Sequence, residues 1–303
     1  MKMRFRAHET FYIRKGWLSK GMKNVGMKSN IFVDKNENPM DILGIGANMV
    51  KSLRYWLPAV GLTSGIREQQ LTPFGKIVYE KDKYIEELGT LYLLHYKLVT
   101  NREEATAWYV FFNEFDEKEF TKDDFIRRMQ TFIKSNGNEI SEENSESDIN
   151  NKSKDSVAMR SLEDDFACIL NTYVTNDRLI DEPENNIDCP FRELGLIDYM
   201  NRKNKTYKKS VPLAHSFNPW VILAIIMDQA KDRREINLND LLTESCNIGK
   251  VFNLDTITML KILHTIDKMG EIKIVRTAGL NVIRLINQYS FEKCVERYYA
   301  SID

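Results

Sequence analysis

The sequence predicts a mainly α (α+β) fold, built as tandem winged-helix (helix-turn-helix) modules with small β-wings and a helical core between them. Three observations predict it. Residues 39–62 read as a short apolar segment, a glycine turn and an amphipathic helix. Residues 84–133 read as successive apolar helices. Residues 218–286 read as three helices closed by a hairpin.

In the first module, Pro39–Leu43 precedes a turn bracketed by Gly44 and Gly46, and ANMVKSLRYWLPAVGL follows. At helical spacing Met49, Val50, Leu53, Trp56 and Leu57 share one side. Asn48, Lys51 and Tyr55 project from the other, flanked by Ser52 and Arg54. Pro58 and Gly61 end the helix. LTPFGKIVYE then begins like the element after a wing. Asn can pair with adenine in a major groove, and Lys and Arg reach guanine or phosphate. Asn48, Lys51, Ser52, Arg54 and Tyr55 are therefore candidate DNA contacts. The plain alternative is a solvated helix face.

The middle of the chain supplies the helical core through Tyr84–Leu98, Glu103–Phe115 and a helix from Lys122 to Ile133 capped by Thr121. His95 reads as a satisfied histidine of that core, and Trp17, Trp56, Trp108 and Trp220 as core residues, with Trp17 also able to stack on a base.

The second module opens with Asn218 capping a helix that begins at Pro219. A second helix covers Asn237–Ser245, and a third runs from Leu254 to Met269 and stops at Gly270. The third helix lines Met259, Leu260, Ile262, Leu263 and Ile266 on one face, against Thr258, Lys261, Thr265 and Lys268 on the other. EIKIVRTAGLNVIRLI then reads as a wing-like hairpin. This exposed face is only mildly basic, so dimerisation or docking fits it as well as DNA does.

Net charge is −1, so affinity for nucleic acid must come from local patches. One is the N-terminus, where Lys2, Arg4, Arg6, Arg14, Lys15, Lys20, Lys23 and Lys28 face only Glu9. Lys15 and Lys23 join the candidate DNA contacts on this ground. Arg202–Lys209 is a second basic stretch, with the look of a hairpin tip. Cys168, Cys189, Cys246 and Cys294 lack metal-ligand spacing and read as single thiols of a reducing compartment. No signal-peptide core is apparent, and the run Trp220–Met227 is too short to span a bilayer. A cytoplasmic protein without a membrane partner is expected. Ser135–Asp155, rich in Ser, Asn and Glu, cannot bury enough surface to order itself. It divides the chain into an N-terminal domain (1–134), an acidic linker or loop (135–156) and a C-terminal domain (157–303).

No phosphate-cradling glycine loop ending in Gly-Lys-Ser/Thr is present, and no HExxH. HETFYIRKGWLSKG offers His8, Glu9, Arg14 and Lys20 as catalytic candidates: a His or carboxylate to hold a divalent ion or activate water, and cations to stabilise a pentavalent phosphate. Structural hydrogen bonding is the alternative for His8 and Glu9. Asp267, Glu271 and Lys273 form a second, weaker constellation.

The strings HETFYIRKGWLSKG, LGIGANMVKSLRYWLPAVGL, LTPFGKIV, LGTLYLLHYKLV, ATAWYVFFNEF and PFRELGLI together resemble the SspB-type proteins of bacterial Ssp systems, which install phosphorothioate linkages in DNA and defend against phage. The resemblance implies a DNA nicking endonuclease that uses Mg²⁺ or another divalent metal. It also implies partners: double-stranded DNA, a cysteine desulfurase, an ATP pyrophosphatase-like protein and an ATPase, with a homodimer as one assembly. The metal ligands are not implied residue by residue. A non-catalytic DNA-binding regulator and an assembly scaffold are the competing readings.

Overall fold

Residues 2–7 alternate in character. Lys2, Arg4 and Arg6 are exposed, whereas Met3, Phe5 and Ala7 pack on the core. This is the period of an extended chain lying on a surface. The computed structural model describes residues 2–34, 36–136, 157–175, 189–277 and 280–303. Most of the acidic segment expected as a linker, residues 137–156, and the expected wing turn at 278–279 lie outside the described residues.

Helix α1 (Trp17–Met27), α2 (Pro39–Leu43) and α3 (Ala47–Ala59) pack together, followed by a small hairpin of β1 (Thr63–Ser64) and β2 (Gln70–Leu71). Asn38 caps α2 by accepting from the Met40 N–H, and Gly44 ends it with φ 60°. LTPFGKIVYE forms α4 (Pro73–Lys81), capped by Thr72. The core helices follow: α5 (Leu88–Thr100), α6 (Thr106–Tyr109) continuing into a π turn (Val110–Glu114), β3 (Glu119–Phe120) and α7 (Lys122–Asn136). Thr121 and Asp124 bond reciprocally at the start of α7.

Beyond the undescribed segment come α8 (Met159–Tyr173), a 3-10 turn (Pro190–Leu194), β4 (Ile197–Asn201) and β5 (Thr206–Lys209). The basic stretch expected as a loop or hairpin tip spans the β4–β5 connection and strand β5 itself. The C-terminal unit is α9 (Pro219–Ala230), β6 (Glu235–Asn237), α10 (Leu238–Thr243), α11 (Ile248–Val251), α12 (Thr256–Lys268), β7 (Ile272–Thr277) and β8 (Leu280–Leu285). Its antiparallel sheet has the order β6-β8-β7. The last helix, α13 (Phe291–Ala300), returns to pack on α9 and α4. Gly89 is required on α5, because a Cβ there would lie 2.3 Å from the Tyr298 ring of α13.

Residues 1–134 and 157–303 do not form separate cores. Strand β3 pairs with β5, Phe120 opposite Tyr207, so one sheet joins the two halves. His95 of α5 is fully buried; its Nδ1 lies 2.7 Å from the Tyr173 hydroxyl of α8 and its Nε2 2.8 Å from the Val251 carbonyl of α11. A carbonyl only accepts, so Nε2 carries the proton and Nδ1 accepts from the tyrosine. Burial drives the His95 pKa down to about 3. One hydrophobic cluster runs from Ile13 to Tyr299. The chain is thus a mainly helical α+β protein with small sheets. Its expected domain boundary falls inside a continuous core, because apolar surfaces on both sides complete one another.

Candidate nucleic-acid interface

An open groove of about 750 Å³ lies between the N-terminal segment, α3 and the β1–β2 hairpin. Lys2, Arg4, Arg6, Lys51 and Arg54 line it, together with Glu9 and Glu104, and Ile66 adds apolar surface. The cations come from two elements, the N-terminal segment and α3. Arg4 and Arg6 stand on the outward side of the extended segment, whose backbone is pinned inward: the Arg4 N–H donates to Thr106 Oγ1 (3.0 Å) and the Arg6 N–H to Asp165 Oδ1 (2.8 Å). Lys51 is exposed on α3. The Arg54 fork closes on the Ile66 carbonyl, with Nη2 at 2.6 Å and Nε at 3.2 Å.

The electrostatics favour an anion. Burial holds the Arg54 pKa below its ordinary value, and the neighbouring charges of Arg4 and Arg67 add to that shift. Arg54 is thus repelled by both Arg4 and Arg67, a cost that a bound anion would relieve. Arg4 also pairs with Glu104, and Arg6 with Asp164 at 2.8 Å. The protein thereby offsets part of the repulsion with its own carboxylates.

The HET motif has a divided role. His8 is fully buried. Its Nδ1 accepts from the Thr10 N–H at 3.0 Å, so its Nε2 holds the proton and donates to Asp165 Oδ1 at 2.8 Å. Its ring lies against Trp56 and Trp108. Burial pushes the Asp165 carboxyl pKa up, while the His8 hydrogen bond opposes that rise. Both ring nitrogens are engaged, and none of the ring reaches solvent. His8 therefore anchors the N-terminal segment to α8 and is closed off from solvent. Glu9 and Thr10, next in sequence, have φ of 51° and 67°. Left-handed backbone is uncommon for non-glycine residues and an outlier for β-branched threonine. Such strain persists only where surroundings enforce it, and the buried His8–Asp165 pair does so here. Of the four catalytic candidates, Glu9 alone lines the groove.

The others lie elsewhere. Arg14 is over the Phe11 and Trp17 rings at 5.8 and 5.6 Å. Lys20 donates through Nζ to the Leu43 carbonyl at 2.7 Å, satisfying the end of α2. Lys15 and Lys23 are exposed, outside the groove lining. Two candidate DNA contacts on α3 correct the helical-wheel expectation. Ser52 is fully buried, its Oγ 3.3 Å from the Phe11 carbonyl, and Tyr55 is buried beneath Arg4, whose guanidinium lies 5.3 Å from the ring. The N-terminal segment and α1 cover the flanks that a lone helix would expose. Trp17 is likewise buried, so it cannot stack on a base. Asn48 stays exposed beside Lys51, at 3.5 Å.

In the second constellation, Glu271 is buried and accepts from Asn287 Nδ2 at 3.0 Å, while Lys273 pairs with Asp267 at 3.7 Å. Among the described residues no group of three His, Cys, Asp or Glu side chains could hold a metal ion. In the groove the carboxylates are Glu9 and Glu104, the latter engaged by Arg4. These side chains do not make up a metal shell of their own. No helix among the described residues is long and apolar enough to cross a membrane.

Sequence reasoning missed Arg4 and Arg6 as site residues. The signal was the alternation KMRFRA, which sets Lys2, Arg4 and Arg6 on one side of an extended strand.

The architecture is that of a solved class of proteins. It is similar to an SspB crystal structure, with a TM-score of 0.82 at 24% identity, over 98% of this chain and 88% of that one. It is similar also to a magnesium ion-bound SspB crystal structure, with a TM-score of 0.80 at 24% identity and the same coverage. At that identity the likeness is one of fold. No curated protein sequence matches the chain. The chain belongs to the family described as "Protein of unknown function (DUF4007)", whose profile matches residues 5–299.

Proposed function

We propose that this protein holds double-stranded DNA by its phosphate backbone in the N-terminal groove, as a component of an Ssp-type DNA phosphorothioation and phage-defence system. The observation that carries the reading is the crowding of Arg4, Arg54 and Arg67, with Lys51 and Lys2 beside them. Guanidinium groups only partly offset by carboxylates, on an open surface, suit phosphate, the densest regular array of anions a protein meets. The SspB-like fold supplies the biological context. On that reading the partners are a cysteine desulfurase, an ATP pyrophosphatase-like protein and an ATPase.

Both helix-turn-hairpin units are read as winged-helix modules. In the C-terminal one the order helix, strand, two helices, helix, hairpin, with sheet order β6-β8-β7, supports this. There α12 takes the recognition-helix position. In the N-terminal unit α3 takes it, with the β1–β2 hairpin as the wing.

The finer reading is nicking of one DNA strand. It is favoured by the strained Glu9, whose carboxylate shares the groove with cations able to stabilise a developing phosphate charge. Here the chain's own work is to hold the backbone with Arg4, Lys51 and Arg54 and to present Glu9. The magnesium-bound relative suggests that a divalent ion takes part. Glu9 and Glu104 do not by themselves complete a site for one.

Supercoiled plasmid with Mg²⁺ tests both levels. The full chain is expected to bind the plasmid and convert it to open circles, and Glu9→Gln is expected to keep binding while losing conversion. Binding without conversion in either protein would leave a DNA-binding component and remove the nickase. Failure to bind would remove both.

A further inference from the structure

The tip of the β1–β2 hairpin carries the most exposed large apolar side chain among the described residues. Ile66 is 75% exposed and lines the cationic groove. A single exposed isoleucine is ordinary on a protein surface. The fixing of this one is not. Gly65 turns the chain with φ 100°, and a Cβ there would lie 2.0 Å from the Glu68 carbonyl oxygen. The Ile66 carbonyl is gripped by the Arg54 fork. Gln69 is buried; its Oε1 accepts from Thr63 Oγ1 at 3.0 Å, its Nε2 donates to the Arg54 carbonyl at 2.8 Å, and its N–H donates to the Ser29 carbonyl at 2.8 Å. The tip is thus bolted to α3 and to the segment after α1. It holds in water a side chain that is itself stiff at χ1.

We infer that Ile66 is a wedge that enters a base step of the duplex held in the groove. The inference rests on the DNA-binding reading above and adds what the groove does to DNA. Apolar side chains such as isoleucine, set between cations that hold the backbone, are the means by which proteins part stacked base pairs and kink a duplex. The cations are in place: Arg54 beneath the tip, Arg67 next in sequence and Lys51 along the groove. The rigid tip means that little ordering entropy is lost on insertion. Charge complementarity with the backbone selects DNA as the occupant over an apolar protein surface. Steps that unstack easily, TA and CA, are the expected targets.

The experiment uses the full chain and a duplex carrying 2-aminopurine at a central TA step, whose fluorescence rises when stacking is lost. Affinity is read in parallel by anisotropy. Wild type is expected to bind and to raise the fluorescence several-fold. Ile66→Ala is expected to abolish the rise and weaken binding about tenfold, and Ile66→Leu to restore both. Binding by wild type with no rise, or an equal rise with Ile66→Ala, overturns the wedge and leaves the groove reading intact. No binding by wild type overturns the groove reading, and the wedge falls with it.

Discussion

Helices α3 and α12 each precede a hairpin, but they meet solvent differently. Helix α3 buries Val50, Ser52, Leu53, Tyr55, Trp56, Leu57 and Ala59, more than half of its 13 residues. Helix α12, also of 13 residues, buries only Met259, Ile262, Leu263 and Ile266. Ile257, Lys261, His264 and Lys268 therefore form an open stripe at i, i+4, i+7 and i+11. The first region draws its cations from several elements: an extended N-terminal segment, one helix face and a hairpin. The second draws them from one helix, with Lys273 and Arg276 on the adjoining hairpin. A basic surface can thus be assembled around a buried helix or displayed by an exposed one, and helical periodicity foresees only the second kind.

The largest effect is expected from breaking the assembled surface. Arg4→Ala, Lys51→Ala and Arg54→Ala together should weaken duplex binding at least a hundredfold by anisotropy at fixed salt. A loss below tenfold would assign the main contact to α12.

A second test asks whether the two regions share a fate. His95 joins α5 to α8 and α11, and burial lowers its pKa to about 3 from an ordinary 6.5. A histidine whose folded pKa is depressed contributes stability that is present above the unfolded pKa. The unfolded chain takes up the proton first as pH falls, so stability is lost from about pH 6.5 down towards 3. The slope from this one group is about 1.4 kcal/mol per pH unit. Denaturant melts between pH 7 and 4 should show a single transition that weakens with acid, and His95→Gln should flatten that dependence. Two transitions, one insensitive to acid, would show that the regions are independent after all.

The smallest effect is expected from the displayed surface. Lys261→Ala, His264→Ala and Lys268→Ala together should weaken duplex binding about tenfold, as expected of a surface secondary to the proposed groove. An effect equal to that of the groove variant would make the two surfaces equal partners.

What was legible in the sequence follows the same division. Several elements after residue 218 could be read because each is local: Asn218 caps its helix and the last hairpin alternates, whereas β6, α11 and α13 were not foreseen. The exposure of Asn48 and Lys51 was legible from helical spacing. The burial of Ser52 and Tyr55 was not, because what covers them is far away in sequence: Phe11 accepts from Ser52, and Arg4 lies over Tyr55. His8 looked like chemistry for the same reason. Its partner, Asp165, stands beyond the acidic segment, 157 residues away. The continuous core was hidden by that segment, whose composition marks a break in the chain but says nothing about whether the flanking surfaces meet.

In the proposed function the groove holds a phosphate backbone through Arg4, Lys51 and Arg54. Salt dependence of duplex affinity measures it most directly, because each phosphate contact contributes about 0.9 to the slope of log K against log salt. The slope of the triple variant should be smaller than that of wild type by about 2 to 3. Equal slopes for the two proteins would contradict the claim and place the phosphates elsewhere on the molecule.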